Sequence, residues 1–198
     1  MSGEASAIIT ELIDSALVIR FNRPTERNPL SLAVLKELDA ILSSSVTRAD
    51  LERLIFTGTD DVFASGANIR ELTTLTPQSA EEFSRFGQAL FQRIADARQL
   101  TIAAINGYCM GGAVDLALAC KVRIASSNAT FAHPGARLGI ITGWGGTQRL
   151  PRLIGRTRAL EFFLTARRVD AIEALRIGLV NAVSDQPLKT ALSILISG

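Results

Sequence analysis

Apolar residues along this chain recur every second position in short runs and every three or four in longer ones, with polar or glycine-rich joints between. Residues 7–13 and 16–21 are β-rich runs parted by Asp14-Ser15, which predicts a hairpin ended by Asn22-Arg23-Pro24. Ser31 predicts the cap of a helix over 32–44, where Leu35, Leu38, Ile41 and Leu42 recur at helical spacing. A buried strand is expected over 54–57, stopped by Gly58, then an apolar loop over 62–69 with small residues at its centre. Residues 73–77 read as a polar connector and 78–97 as an amphipathic helix with Phe83, Phe86, Leu90 and Ile94 on one face. Further on, 122–125 reads as a strand and 130–139 as an extended segment interrupted by Pro134-Gly135. A glycine loop over 143–146 leads into a short helix over 147–150. A helix over 156–165 follows. Asp170 caps another over 171–177, with Gly178 as its stop, and 179–183 reads as a strand. Strands alternating with helices predict an α/β layered fold. No sequence repeat, low-complexity tract or linker divides the chain, so residues 1–198 are expected to form a single domain.

The stretch 101–120 organises the rest. It opens with an apolar run over 101–105, turns at Asn106-Gly107, passes Gly111-Gly112 and continues as a buried helix over 113–120. Such a layout aims free helix N-terminal N–H groups outward, and glycines let another group approach them. Asp115, the only charge in the stretch, falls in the first turn. Two readings stand: a core strand and helix with Asp115 complementing the dipole, or a ligand site. A membrane span would need about 20 apolar residues. Asn106, Asp115 and the glycines interrupt this run, and no basic flank marks one side.

The 198 residues are 47% hydrophobic and 20% charged, which is a globular balance. A net charge of +2 gives no argument for nucleic acid or an anionic membrane. Arg149, Arg152, Arg156, Arg158, Arg167 and Arg168 cluster in the last third and read as solvated helix faces. Cys109 and Cys120 sit in the apolar centre, as buried reduced thiols would. One histidine and no Cys/His cluster predict no metal site. Residues 1–10 carry Glu4 and lack a basic stretch, so a signal peptide is not expected and a cytoplasmic location is.

Five stretches together resemble the crotonase family, the enoyl-CoA hydratase/isomerase superfamily. They are Arg20-Phe-Asn-Arg-Pro24 with Asn28, Phe63-Ala-Ser-Gly-Ala-Asn-Ile-Arg70, Ile105-Asn-Gly-Tyr-Cys-Met-Gly-Gly112, Gly145-Gly-Thr-Gln-Arg-Leu-Pro151 and Ala171-Ile-Glu-Ala-Leu-Arg-Ile-Gly-Leu-Val180. They follow the family's order and spacing from about residue 8 to 184. The resemblance implies a spiral of ββα units, a homotrimer or hexamer, and an acyl-CoA thioester as ligand, with coenzyme A part of the substrate and no separate cofactor. It implies an oxyanion hole made by the backbone N–H groups of Ala67 and Gly112, with Gly66 and Gly111 allowing close approach. Ser65, Ala67 and Ile69 would line the adenine side, and Arg27 and Arg70 are candidates for the phosphates.

Hydratases of the family use two glutamates, and by the same resemblance those positions are Asp115 and Gly135 here. Asp115 is therefore the expected acid/base. His133, two residues before Gly135 on an extended strand, would share its face and could supply the second group. A structural histidine is the other reading. Trp144 either lines the acyl pocket or belongs to the core. The resemblance also implies helices after Val183 that cover the site and build the trimer, where only 184–198 follow, so that region reads as truncated. The function expected is enoyl-CoA hydratase/isomerase chemistry through a stabilised enolate. Decarboxylation or C–C cleavage of an acyl-CoA, and a non-catalytic acyl-CoA binder, are the alternatives.

Overall fold

The computed structural model describes residues 6–194. Residues 1–5 and 195–198, which the readings of the two chain ends include, lie outside the described residues. The chain starts with the expected hairpin: β1 (Ile8–Ile13) pairs antiparallel with β2 (Ala16–Phe21), and Asp14 takes a left-handed φ of 51° at the turn. After β3 (Pro29–Leu30), Ser31 caps α1 (Leu32–Ser45) by accepting from the Val34 N–H. From β2 onward the chain repeats one unit: a strand, a second strand, then a helix. The next unit is β4 (Arg53–Thr57), β5 (Val62–Ala64) with the short β6 (Gly66–Ala67), then α2 (Ile69–Leu72) and α3 (Pro77–Asp96). The third is β7 (Leu100–Ile105), β8 (Tyr108–Met110) and α4 (Gly112–Ala119). The fourth is β9 (Val122–Ala125), β10 (Thr130–Ala132), a 3-10 turn (Pro134–Leu138) and α5 (Gly146–Ile154). Then come α6 (Arg156–Thr165), β11 (Val169–Asp170), α7 (Ala171–Arg176), β12 (Ala182–Val183) and α8 (Pro187–Leu192).

First strands all enter a large sheet of order β1-β2-β4-β7-β9-β12, parallel from β2 onward. Second strands enter a small sheet of order β11-β10-β8-β5, while β3 pairs with β6. Each unit advances one position in both sheets, so the chain winds as a spiral of ββα units. The units repeat in structure although no repeat is visible in sequence.

Side chains on a strand alternate between faces, and the large sheet is apolar on both. Ile19, Phe21, Leu54, Phe56, Ala103 and Ile105 face the main core under the helices. Ala16, Val18, Ile55, Ile102, Ala104 and Ile124 face the other side, covered by Leu188, Ala191 and Leu192 of α8. The Arg53 guanidinium donates to the Leu192 carbonyl at 2.6 Å and the Ile194 carbonyl at 3.1 Å, tying the end of α8 to β4.

Several local readings are corrected. Residues 62–69 are β5, a bend at Ser65, β6 and the start of α2, not a loop. Between the Asn106-Gly107 turn and α4 the chain forms β8. These strands have two or three residues, too few to show an alternation, and partners remote in sequence hold them. Residues 130–139 are not one extended segment: β10 ends at Ala132, and Pro134 starts the 3-10 turn. The helix expected over 147–150 runs from Gly146 through Pro151 to Ile154, because the proline removes a single N–H donor and the turns beyond it keep theirs. The last strand covers only Ala182–Val183. Within 101–120 the chain is strand, turn, strand and an eight-residue helix, and among the described residues no helix is long and apolar enough to cross a membrane.

Candidate functional site

The site is built where the second and third units meet. Asn28, buried at a left-handed φ of 47°, anchors this junction. Its side-chain NH2 donates to the Val62 carbonyl at 2.9 Å and the Phe63 carbonyl at 3.1 Å, its Oδ1 accepts from the Arg23 N–H at 2.6 Å, and its own carbonyl accepts from the Ser65 N–H at 3.3 Å. These four bonds fix the bend that carries Ser65, Gly66 and Ala67. Gly66 then runs directly against the start of α4. At φ +83° a Cβ there would stand 2.5 Å from the Gly112 nitrogen and 2.8 Å from the Met110 carbonyl oxygen, so only glycine fits. Gly111 is likewise left-handed, at φ +57°, and its N–H is held by the Ala132 carbonyl at 2.9 Å. Gly112 opens α4, and its N–H has no acceptor within that helix. The two backbone segments singled out from sequence therefore lie side by side.

They border an apolar cavity of about 510 Å³. Ser65, Ala67, Gly111 and Gly112 line it, as do His133 and Gly135. Ile69 lines the cavity at its exposed side and Trp144 at its buried side. Leu72, Leu75, Phe83, Leu138, Ile140 and Ile141 supply most of the remaining apolar lining. Among the described residues no Asp or Glu side chain lines it.

Asp115 lies just beneath this wall, fully buried on α4. Its Oδ2 accepts a hydrogen bond from the Thr142 hydroxyl. Its Oδ1 has no hydrogen-bond partner and stands 3.6 Å from His133 Nε2, which has none either. Thr142 and His133 both line the cavity, so they are the groups between Asp115 and a ligand. The His133 ring meets Phe163 of α6 edge-on at 5.3 Å between centroids. The strand-face argument for His133 and Gly135 does not hold. His133 caps the 3-10 turn and Gly135 lies inside it. Both reach the cavity because the turn folds over it. A Cβ on Gly135 would meet the Ile140 carbonyl oxygen at 2.6 Å, so the turn closes too tightly there for any side chain.

Trp144 satisfies both readings offered for it. It is buried, and its ring packs at 5.3 Å on Phe83 and 5.5 Å on Phe91. It fills the space over Gly87 and Gly112, where a Cβ would meet the indole at 2.2 and 2.3 Å. The phosphate candidates do not reach the cavity. Arg27 stacks over the Tyr108 ring at 5.2 Å, and Arg70 is exposed on α2. Of the arginine cluster, Arg149 donates to Gln92 Oε1 at 2.8 Å and the Trp144 carbonyl at 3.2 Å, and Arg167 pairs with Glu161 and Glu173. The thiols are buried and unbridged. Burial, then the Asp115 charge, pushes the Cys109 thiol up, and burial pushes Cys120 to about 12. Sequence reasoning missed Thr142, an uncharged residue 27 positions from its carboxylate, and the anchoring bonds of Asn28, which appeared only as part of a motif.

The spiral, the Gly66–Gly112 junction and the cavity define an α/β enzyme fold of one family. The family model for enoyl-CoA hydratase/isomerase matches residues 11–194, and the chain belongs to that family. It is 39% identical over 181 residues to a short-chain-enoyl-CoA hydratase of Clostridium acetobutylicum, covering 91% of this chain and 69% of that one. It is 42% identical over 177 residues to a crotonyl-CoA hydratase of Syntrophomonas wolfei, covering 89% and 68%. The crystal structure of an enoyl-CoA hydratase from Bacillus anthracis superposes with a TM-score of 0.89 at 36% identity, over 94% of this chain and 74% of that one.

Proposed function

We propose that this chain hydrates a short-chain enoyl-CoA, with the thioester carbonyl held by the Ala67 and Gly112 N–H groups. The observation that carries this is the pairing of Asp115 Oδ1 and His133 Nε2. Both are buried, both lack a hydrogen-bond partner, and they stand 3.6 Å apart behind a cavity bordered by the Gly66–Gly112 junction. Adding water to a conjugated thioester drives negative charge onto the carbonyl oxygen. Donors fixed where that charge develops are worth about 3–4 kcal/mol each when removed. The attacking water gives its proton to the Asp115–His133 pair, hydroxide adds at the β-carbon, and the pair returns a proton to the α-carbon. An imidazole and a carboxylate together thus supply the two proton movements, each worth about 10²–10⁴-fold in rate.

The acyl chain occupies the apolar lining around Phe83 and Trp144, and the nucleotide end leaves past Ser65 and Ile69. Coenzyme A enters as part of the substrate. This chemistry calls on no metal or redox cofactor, because the backbone donors themselves stabilise the enolate. A homotrimer or hexamer in the cytoplasm, serving fatty acid breakdown, completes the proposal. It is supported by the family and by apolar side chains such as Leu160, Leu164 and Ile172 that α6 and α7 leave exposed. Arginine pairing within the last third favours solvated faces over a nucleic-acid surface.

The test is turnover of crotonyl-CoA followed at its conjugated-thioester absorbance, with 3-enoyl-CoA alongside. The expected result is loss of signal with crotonyl-CoA, reduced about 10²–10⁴-fold in Asp115→Asn. A gain of signal from 3-enoyl-CoA alone would replace hydration by a proton shift between two carbons. Silence with both, CoA-ester binding intact, would leave a binder or a decarboxylase.

A further inference from the structure

The two oxygens of Asp115 have different surroundings. Oδ1 faces His133 and accepts nothing, while Oδ2 accepts from the Thr142 hydroxyl, the one hydrogen-bond donor to this carboxylate among the described residues. We propose that Thr142 is the positioning residue of the site: its hydroxyl holds the Asp115 carboxylate turned so that Oδ1 alone exchanges the proton. This deepens the hydratase reading and rests on it for its kinetic consequence.

The segment carrying Thr142 is held from both sides. Before it, the Ile140 N–H donates to the Gly135 carbonyl at 3.0 Å. After it, Ser84 Oγ and Gln88 Nε2, both from α3, donate to the Gly143 carbonyl at 2.8 and 2.7 Å. A threonine between two such anchors has little freedom to swing away from the carboxylate. Opposite, the backbone of Gly146 closes the space. A Cβ there would stand 2.1 Å from Oδ1, so Asp115 is confined between α5 and the Thr142 hydroxyl. A buried carboxylate is costly unless its charge is met by a donor, and a bond to the charged form favours that form.

The other titratable groups around Asp115 are few. His133 faces it from the 3-10 turn. Cys109 faces it from β8, and its thiol is pushed up by burial and by the Asp115 charge. Arg149 feels it from α5, where burial works against its charge and Asp115 supports it. On α3, Glu81, Glu82, Arg85 and Asp96 are exposed, and Arg93 turns to Asp39 of α1. β6 brings only Gly66 and Ala67. Among the described residues Thr142 alone donates a hydrogen bond to the carboxylate.

The experiment sets Thr142→Val, which keeps the shape and removes the hydroxyl, against Thr142→Ser, which keeps the hydroxyl and removes a methyl. In Thr142→Val, kcat for crotonyl-CoA should fall about 10–100-fold with KM changed by less than about threefold. Thr142→Ser should restore kcat. Thr142→Ala is a second hydroxyl-free variant should valine disturb the fold. His133 is the only histidine in the chain, so its ring Cε1–H signal gives a readout that needs no turnover. Its chemical shift against pH should be displaced in Thr142→Val and match the parent in Thr142→Ser. If the parent hydrates nothing but the His133 curve behaves so, the hydratase reading fails and the positioning role stands. A parental His133 curve in Thr142→Val, or equal disturbance by both variants, overturns the role in favour of simple packing.

Discussion

Asn28 carries no charge and is not among the residues that line the cavity, yet it anchors the bend that carries Ser65, Gly66 and Ala67. Its amide answers two carbonyls of β5 and one N–H of the preceding turn, and its φ is left-handed. Truncating it takes the donor from two buried carbonyls and the acceptor from a half-buried N–H, a combined cost of about 2–4 kcal/mol. Asn28→Ala should therefore lower the urea midpoint by the equivalent of roughly 2–4 kcal/mol and raise KM for crotonyl-CoA, because the Ser65–Ala67 bend loses its anchor. Unchanged stability and KM would place the cause of the bend elsewhere. At this scale the sequence was most readable where glycine and charge coincide: Gly66, Gly111, Gly112 and Asp115 stand out against an apolar background, and His133 is unique. Thr142 and Asn28 give no such signal, since their importance lies in the partners they meet, 27 and 34 residues away.

Elements were legible in proportion to their length. α1 and α3 show several turns of periodicity, and Ser31 and Thr76 cap them, the latter in a reciprocal arrangement with Ser79. β1 and β2 adjoin, so their turn is local. By contrast β5, β6 and β8 exist only because remote strands pair with them: Val62 lies beside Tyr108, and Gly66 beside Pro29. α8 has six residues and no side-chain cap, and its place is decided by the apolar far face of the large sheet. The 3-10 turn after β10 likewise owes its shape to Pro134 at its start and left-handed Gly139 at its end. It brings His133 and Gly135 to the cavity by a route that strand alternation did not foresee.

For the whole molecule, the α/β layering was readable from alternation, while the spiral came from the family resemblance and is what the sheet orders show. Apolar side chains are left exposed on α5, α6 and α7, including Leu153, Leu160, Leu164, Ile172 and Leu175. Apolar area of this kind is commonly an interface between chains. Sedimentation equilibrium should give a multiple of the 21.2 kDa chain mass, three-fold for a trimer, and a 21.2 kDa species at all concentrations would remove the assembly from the proposal.

In the proposed mechanism, winding the second unit onto the third creates an oxyanion hole at Ala67 and Gly112. The most direct measurement is the carbonyl carbon-13 shift of carbonyl-labelled butyryl-CoA bound to the protein, since this saturated ester is held without being hydrated. Two backbone donors polarise the carbonyl, so its signal should move downfield from that of the free ester, and Gly66→Val, whose Cβ would press on the Gly112 nitrogen, should abolish the displacement. A bound ester whose carbonyl signal coincides with the free one would contradict the account.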